Sequence, residues 1–269
     1  MQARRRPAES ETVVTDSAVA RGPNVGGWQL RERLGRGGSA RVWRAVDGTG
    51  CVAALKILNA HAADSLRYEH ALLAALRHAN VVATFGLVFS RDRAALVLEY
   101  LPGGDFVSLA GAPPQRWLPA LRGVWAALRE MHANGYAHCD VKARNVLFAD
   151  DDSPRLIDFA TARPLDALLR RSIATAACTP AGASTHGRSA DCFAFAALAY
   201  ELVTGRPPYG ATGARWHGEE PEPVSTTART APLLGLVQLS AHVLRAGGRV
   251  HEGLSVFADD IESALEAYC

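Results

Sequence analysis

His138-Cys139-Asp140-Val141-Lys142-Ala143-Arg144-Asn145-Val146-Leu147 follows a long helical pattern, and Leu156-Ile157-Asp158-Phe159-Ala160 brings a second aspartate 18 residues after Asp140. Ahead of both, Leu118, Leu121, Trp125, Leu128 and Met131 recur at steps of three and four. That spacing predicts an amphipathic helix that closes near Asn134-Gly135. Asp140, Lys142 and Asn145 therefore fall just past the end of a helix, with Asp158 following closely.

Moving upstream, the run Trp28 to Leu58 predicts short strands. Gly35, Gly37 and Gly38 interrupt the first pair, and Asp47-Gly48-Thr49-Gly50 makes a turn. In Leu34-Gly35-Arg36-Gly37-Gly38-Ser39-Ala40-Arg41-Val42 the glycines stand where a hairpin backbone can approach phosphate without side chains intervening. Taken alone, this is more often an ordinary glycine-rich turn. Val52-Ala53-Ala54-Leu55-Lys56-Ile57-Leu58 is an apolar strand with one lysine in its middle. Strand alternation puts Lys56 on one face with Ala54 and Val52, and turns Leu55 and Ile57 to the other.

A cation on such a strand needs a partner. In the helical segment that follows, Leu66, Leu73 and Leu76 share a face, and Glu69 lies three residues after the first of them. Glu69 thus belongs to the inward apolar stripe. A lone buried carboxylate or ammonium costs on the order of several kcal/mol, and pairing the two relieves much of it. Such a pair is either a core salt bridge with no chemical purpose or part of a site. Two further strand-like runs, Val81 to Val88 and Ala94 to Tyr100, complete a small sheet-rich part. After Pro102-Gly103-Gly104 the chain turns mainly helical. Phe193, Phe195, Leu198 and Leu202, with intervening alanines, predict a helix apolar all round, and Phe257, Ile261 and Leu265 a last amphipathic one. Residues 209 to 231 read as an exposed excursion, and residues 1 to 27, without hydrophobic period, as a flexible leader before structure begins at Trp28.

Together these stretches resemble the protein-kinase family, in its bacterial, eukaryotic-like serine/threonine form. The family's glycine-rich loop, strand lysine, HRDxxxxN and DFG motifs are met here in family order. Leu76-Arg77-His78-Ala79-Asn80-Val81-Val82 is similar to the link from the family's regulatory helix. Val97-Leu98-Glu99-Tyr100-Leu101 is similar to its adenine hinge, with Leu98 as gatekeeper. Asp191-Cys192-Phe193 to Thr204-Gly205-Arg206-Pro207-Pro208 resembles the central helix and its exit. The resemblance spans roughly residues 28 to 265. It implies an α+β, bilobal fold: a small antiparallel-sheet N-lobe with one main helix (28–100) and a larger, mainly helical C-lobe (101–269).

The same resemblance implies an ATP- and Mg2+-dependent enzyme that phosphorylates serine and threonine hydroxyls of protein substrates. Lys56 would hold the α- and β-phosphates with Glu69 fixing its position, near the backbone of Gly35, Gly37 and Gly38. Asn145 and Asp158 would ligate Mg2+, Asp140 would accept the substrate hydroxyl proton, and Lys142 would steady the γ-phosphate. Backbone groups of Glu99 and Leu101 would hold adenine, Asp105 would face the ribose, and Val42, Ala54 and Leu147 would sandwich the ring. Lys142 within the loop is the serine/threonine form.

Several positions depart from the family pattern. Cys139 stands where the family has arginine, which implies switching independent of phosphate on Ser172, Thr175, Thr179, Ser184 or Thr185. Ala160 and Ala40 replace glycines, which disfavours positive φ there. The Ala-Pro-Glu motif is missing; Thr179-Pro180-Ala181 is its nearest match, and Arg249 stands for the arginine that pairs with its glutamate. These changes keep open a pseudokinase that binds nucleotide or a partner without transfer. A small-molecule kinase of the antibiotic-phosphorylating type shares the His-x-Asp-x-x-x-x-Asn loop, but is not expected to carry Lys142 or the Asp191 helix.

Composition narrows the remaining classes. With 48% hydrophobic and 21% charged residues, the 269-residue chain can bury a core, so disorder is excluded. A net charge of +2 gives no reason to invoke nucleic acid. The most apolar run, Cys192 to Val203, is too short for a membrane span and contains Glu201. Five scattered cysteines without CxxC spacing imply neither zinc nor a disulfide framework, and fit a reducing, cytoplasmic setting.

Overall fold

The computed structural model describes residues 23–36, 40–110, 112–165, 167–170, 184–209, 221, 233–245, 255 and 257–268. Six strands form an antiparallel sheet: β1 (Asn24–Val25), β2 (Trp28–Arg36), β3 (Arg41–Val46), β4 (Val52–Asn59), β5 (Thr84–Phe89) and β6 (Arg93–Leu98). Their spatial order is β1-β2-β3-β4-β6-β5. Alternation decides the faces. Val42, Lys56 and Leu96 oppose one another across β3, β4 and β6, and Ala54 and Leu98 lie on the same side one pair along. Ala53, Leu55, Ile57, Ala95 and Val97 turn the other way, into a cluster with Val25 and Leu30. The β3–β4 turn is closed by Asp47, whose Oδ1 accepts from the Thr49 N–H (2.8 Å), the Thr49 hydroxyl (2.7 Å) and the Cys51 N–H (2.9 Å).

Helix α1 (Ala63–Ala75) buries Leu66, Glu69, Leu72 and Leu73, as its spacing requires. Helix α2 (Pro114–Ala133) opens on a proline at N1, where a missing N–H is harmless, and ends at Asn134 with Gly135 at φ 82°. Trp117, Leu118, Leu121, Val124, Leu128 and Met131 form its buried stripe. Each such side chain stabilises the fold by about 1.5–3 kcal/mol.

Short strand pairs then carry the loops: β7 (Tyr136–Ala137) with β10 (Arg163–Pro164), β8 (Val146–Phe148) with β9 (Pro154–Leu156), and β11 (Leu168–Arg170) with β12 (Ser184–His186). Helix α3 (Gly187–Thr204) is buried on nearly all sides, with α4 (Leu234–Arg245) and α5 (Ala258–Tyr268) against the second part. Among the described residues, no helix is long and apolar enough to cross a membrane.

Asn80 seats the sheet-rich part on the helical one. Its Nδ2 donates to the Pro154 carbonyl (3.0 Å), its own carbonyl accepts the Leu156 N–H (2.8 Å), and the Val82 N–H donates to Leu156 O (3.1 Å). Gly123 on α2 faces this joint. A methyl group there would come 2.6 Å from Pro154 Cγ and 2.8 Å from Asn80 Nδ2, so the close approach depends on glycine.

Two expectations need correction. The sheet begins at Asn24, ahead of Trp28, because Gly26 and Gly27 at φ 56° and 91° fold β1 back onto β2. Val81 to Ala83 do not extend β5; Val81 bridges to Leu156, so these residues serve the joint instead. The expected excursion over 209–231 lies outside the described residues except for Tyr209 and Pro221, which are buried, Tyr209 stacking on Phe193.

Candidate active site

Lys56 is the centre of the arrangement. Its Nζ lies 2.8 Å from both Glu69 Oε1 and Oε2, and 2.6 Å from Asp158 Oδ1. Strand β4, helix α1 and the loop after β9 each deliver one member, so the three converge only in the folded chain. Burial alone works to lower the Lys56 pKa, but attraction to the two carboxylates outweighs it and raises the value. For Asp158 burial works upward, and Lys56 reverses it, holding the carboxyl below its ordinary range. Glu69 Oε1 also accepts the Phe159 N–H at 3.1 Å, which links α1 directly to the Asp158 segment.

Asp158 takes φ 64°, in the left-handed region, and Cys139 takes φ 66°. Aspartate visits this region readily, whereas cysteine holds it where surrounding contacts over-determine it. Around Cys139 the contacts are plain. Asp191 of α3, fully buried, accepts the N–H groups of His138 and Cys139, each at 2.8 Å, and a hydrogen bond from His132 Nε2 at 2.9 Å. His138 in turn accepts the Asp140 N–H at Nδ1 (3.3 Å), donates through Nε2 to Ile157 O (3.0 Å), and meets Phe159 edge to face. The backbone carrying Asp140 is thereby clamped to α3 on one side and to the Asp158 segment on the other.

Asp140 and Asn145 are buried together. Asn145 Nδ2 donates to the Asp140 carbonyl (2.8 Å) and to its Oδ2 (3.1 Å), and Lys142 Nζ donates to the same Oδ2 (2.6 Å). With its amide nitrogen so engaged, Asn145 is left with its oxygen as a ligand atom. The donor set is thus an amide oxygen and a half-exposed carboxylate, both hard oxygen ligands. That set fits Mg2+, which takes few protein ligands and completes its shell with phosphate and water.

The residues expected around adenine fall on β3, β4, the stretch after β6, and β8. Ala54 and Leu98 face each other across β4 and β6, and Val42 and Leu147 pack against the same apolar cluster. Asp105 bridges to Leu147, and next to that contact the Gly103 N–H donates to Phe148 O (2.9 Å) and the Phe148 N–H to Gly104 O (3.0 Å). Leu101 is buried beside them. Glu99 is tied down by its N–H to Ala83 O (2.9 Å) and by Oε2, which accepts from Ala83 N–H (3.2 Å) and Arg155 Nε (3.3 Å). Gly35 lies opposite Val42 in β2 and β3. Gly37, Gly38, the Thr179-Pro180-Ala181 segment and Arg249 lie outside the described residues.

Two structural roles escape the sequence reading: the triple acceptor Asp191, and Arg155 as the partner of Glu99. An aspartate at the start of an otherwise apolar helix was the available signal for the first. Arg155 carried none.

Comparison with known proteins agrees with this geometry. The family model described as "Protein kinase domain" matches residues 28–226. The chain is 34% identical over 211 residues to CBL-interacting protein kinase 4 of Oryza sativa subsp. japonica, covering 70% of this chain and 46% of that protein. It is 33% identical over 208 residues to the DNA damage-responsive serine/threonine-protein kinase RqkA of Deinococcus radiodurans, covering 69% of the chain and 31% of the relative. It is 30% identical over 214 residues to the serine/threonine-protein kinase Pkn1 of Myxococcus xanthus, covering 71% and 31%. The chain spans less than half the length of these relatives. With an antiparallel sheet and one helix set on a helical second part, and with family-model coverage of most of its length, the chain belongs to the protein kinase family, in its eukaryotic-like serine/threonine branch.

Proposed function

We propose that this chain transfers the γ-phosphoryl group of ATP to serine and threonine hydroxyls of protein substrates, with Mg2+ as the metal. The observation that carries the reading is Lys56 held between Glu69 and Asp158, beside an Asp140 whose carboxylate is oriented by Asn145 and Lys142. ATP brings the transferable group and Mg2+ neutralises the charge that develops on it. The chain's own residues do the rest by position. Lys56 would present its ammonium to the phosphates, and Glu69 would keep it there. Asp158 and the Asn145 oxygen would hold the metal. Asp140 would orient the acceptor hydroxyl and take its proton, and Lys142, already at the Asp140 carboxylate, would steady the transferring group.

Glu99 and Leu101 would meet adenine through their backbone, between Val42 and Ala54 above and Leu147 below, with Asp105 at the ribose. Free Cys51, Cys139 and Cys192 support a reducing, cytoplasmic setting. Incubation with labelled ATP and Mg2+, beside an Asp140→Asn control, tests the proposal. Label is expected on the protein itself or on a generic basic protein, on serine or threonine, and lost in the control. Transfer to aminoglycosides in place of protein, or ATP binding without transfer, would overturn it.

A further inference from the structure

Helix α1 is tied to the Asp158 segment by a second link beside Glu69. Tyr68 donates its hydroxyl to the Ala162 carbonyl at 3.1 Å. The Arg163 guanidinium lies over the Tyr68 ring, 6.0 Å from its centroid, and donates through Nη1 to Ala160 O (3.2 Å) and Ala162 O (2.6 Å). The Ala162 carbonyl therefore takes one donor from α1 and one from Arg163. Arg163 is fixed in its turn, because β10 pairs it with Ala137, the residue before His138.

The position next to Asp140 contributes no charge to this region. Cys139 is buried with Ala137, Leu165 and Ala190 in a small apolar cluster. Besides the Lys56 and Phe159 contacts of Glu69, the link from α1 to this segment runs through Tyr68 and the cation Arg163. We infer that Tyr68 and Arg163 are positioning residues that lock α1 onto the Asp158 segment from within the chain, so that the Lys56–Glu69 pair is assembled without any added phosphate. The inference rests on the kinase reading above and names the groups that would set its active geometry. Glu69 reaches Lys56 only when α1 lies close to the sheet, so a link between its neighbour Tyr68 and the 160–163 backbone biases the helix toward that position.

Three variants test it on phosphatase-treated protein: Tyr68→Phe, which removes one hydroxyl; Arg163→Met, which removes the guanidinium; and Arg163→Lys, which restores a cation. The readouts are KM for ATP, kcat, melting temperature and amide hydrogen exchange in nucleotide-free protein. Loss of one such hydrogen bond is expected to raise KM for ATP about 5-fold and to speed exchange across 63–75 by a similar factor, leaving α3 protected. Arg163→Lys is expected to recover part of both. Wild-type KM and wild-type α1 exchange in Tyr68→Phe and Arg163→Met would overturn the inference. So would exchange accelerated equally in α1 and α3, or α1 protection that disappears from the wild-type protein on phosphatase treatment. If wild-type protein neither binds ATP nor transfers phosphate, the kinase reading fails, and the exchange comparison still decides whether the tether holds α1.

Discussion

Cys139 donates its backbone N–H to Asp191 Oδ1 at 2.8 Å while holding φ at 66°. The same carboxylate takes the His138 N–H and the His132 imidazole, so one buried group satisfies three donors. Asp140 is the next residue along. Its position is therefore set by a side chain more than fifty residues away.

Asp191→Ala leaves three buried donors unpaired, each costing about 1–3 kcal/mol, and removes the contact that holds the left-handed turn. Scanning calorimetry is expected to show a lower melting temperature, and phosphotransfer to fall at least about tenfold even where the protein stays folded. A variant with wild-type kcat at a temperature well below its transition would contradict the clamp.

Lys56 and Glu69 are not equivalent targets. Lys56→Met leaves Glu69 buried beside the Asp158 carboxylate with no cation between them, whereas Glu69→Gln keeps Lys56 on Asp158. Breaking a buried pair from the lysine side is expected to cost about 3–5 kcal/mol, and Glu69→Gln less. Turnover should fall by about 100-fold or more in Lys56→Met and by about tenfold in Glu69→Gln, because only the first removes the group proposed to meet phosphate. Parallel denaturant titrations and steady-state kinetics check both orders. Equal losses in the two variants would count against the asymmetry.

How far the site was legible follows from how local each signal is. Lys56 declared itself as one cation in an apolar strand, and Glu69 as one carboxylate on an apolar helical stripe; both periods are properties of a few neighbouring residues. Asp140, Asn145 and Asp158 were carried by spaced motifs. The supports of these groups were less legible: Asp191 showed only as an aspartate in an apolar helix, and Arg155, Tyr68 and Arg163 not at all, since all four act through distant segments and side-chain type does not report such partners. The same cause explains two misplaced edges. Val81 reads as strand but spends its pairing on Leu156, and Asn24–Val25 is too short to show alternation, so only Gly26 and Gly27 mark the hairpin.

Acid should weaken the Lys56–Asp158 contact in one direction only. Asp158 has a folded value below its unfolded one, so its contribution is complete above the unfolded carboxylate value of about 4 and fades as pH falls through the lower folded value. Lys56, raised when folded, contributes fully below its unfolded value of about 10.4 and loses that contribution only as pH climbs past the folded one. Between pH 6 and 8, then, neither group changes stability. Asp158→Asn is expected to flatten the acid limb of a melting-temperature profile and to leave the neutral plateau level. An acid limb identical to wild type would show that other carboxylates govern it.

The cysteine beside Asp140 invites a redox reading, and burial argues against it. Cys139 is enclosed by Ala137, Leu165 and Ala190, and burial followed by the nearby Asp191 charge pushes its thiol far up. Burial also pushes Cys192 up, to about 12. Thiolate is the reactive form, so at pH 8 neither residue presents it, whereas Cys51 lies exposed in the β3–β4 turn. Iodoacetamide added to the native protein at pH 8 is expected to modify Cys51 and spare Cys139 and Cys192, with all three modified after denaturation. Peptide mass mapping reads the outcome directly. Alkylation of Cys139 at the rate of Cys51 would mean that the loop bearing Asp140 opens far more often than its clamp to Asp191 allows.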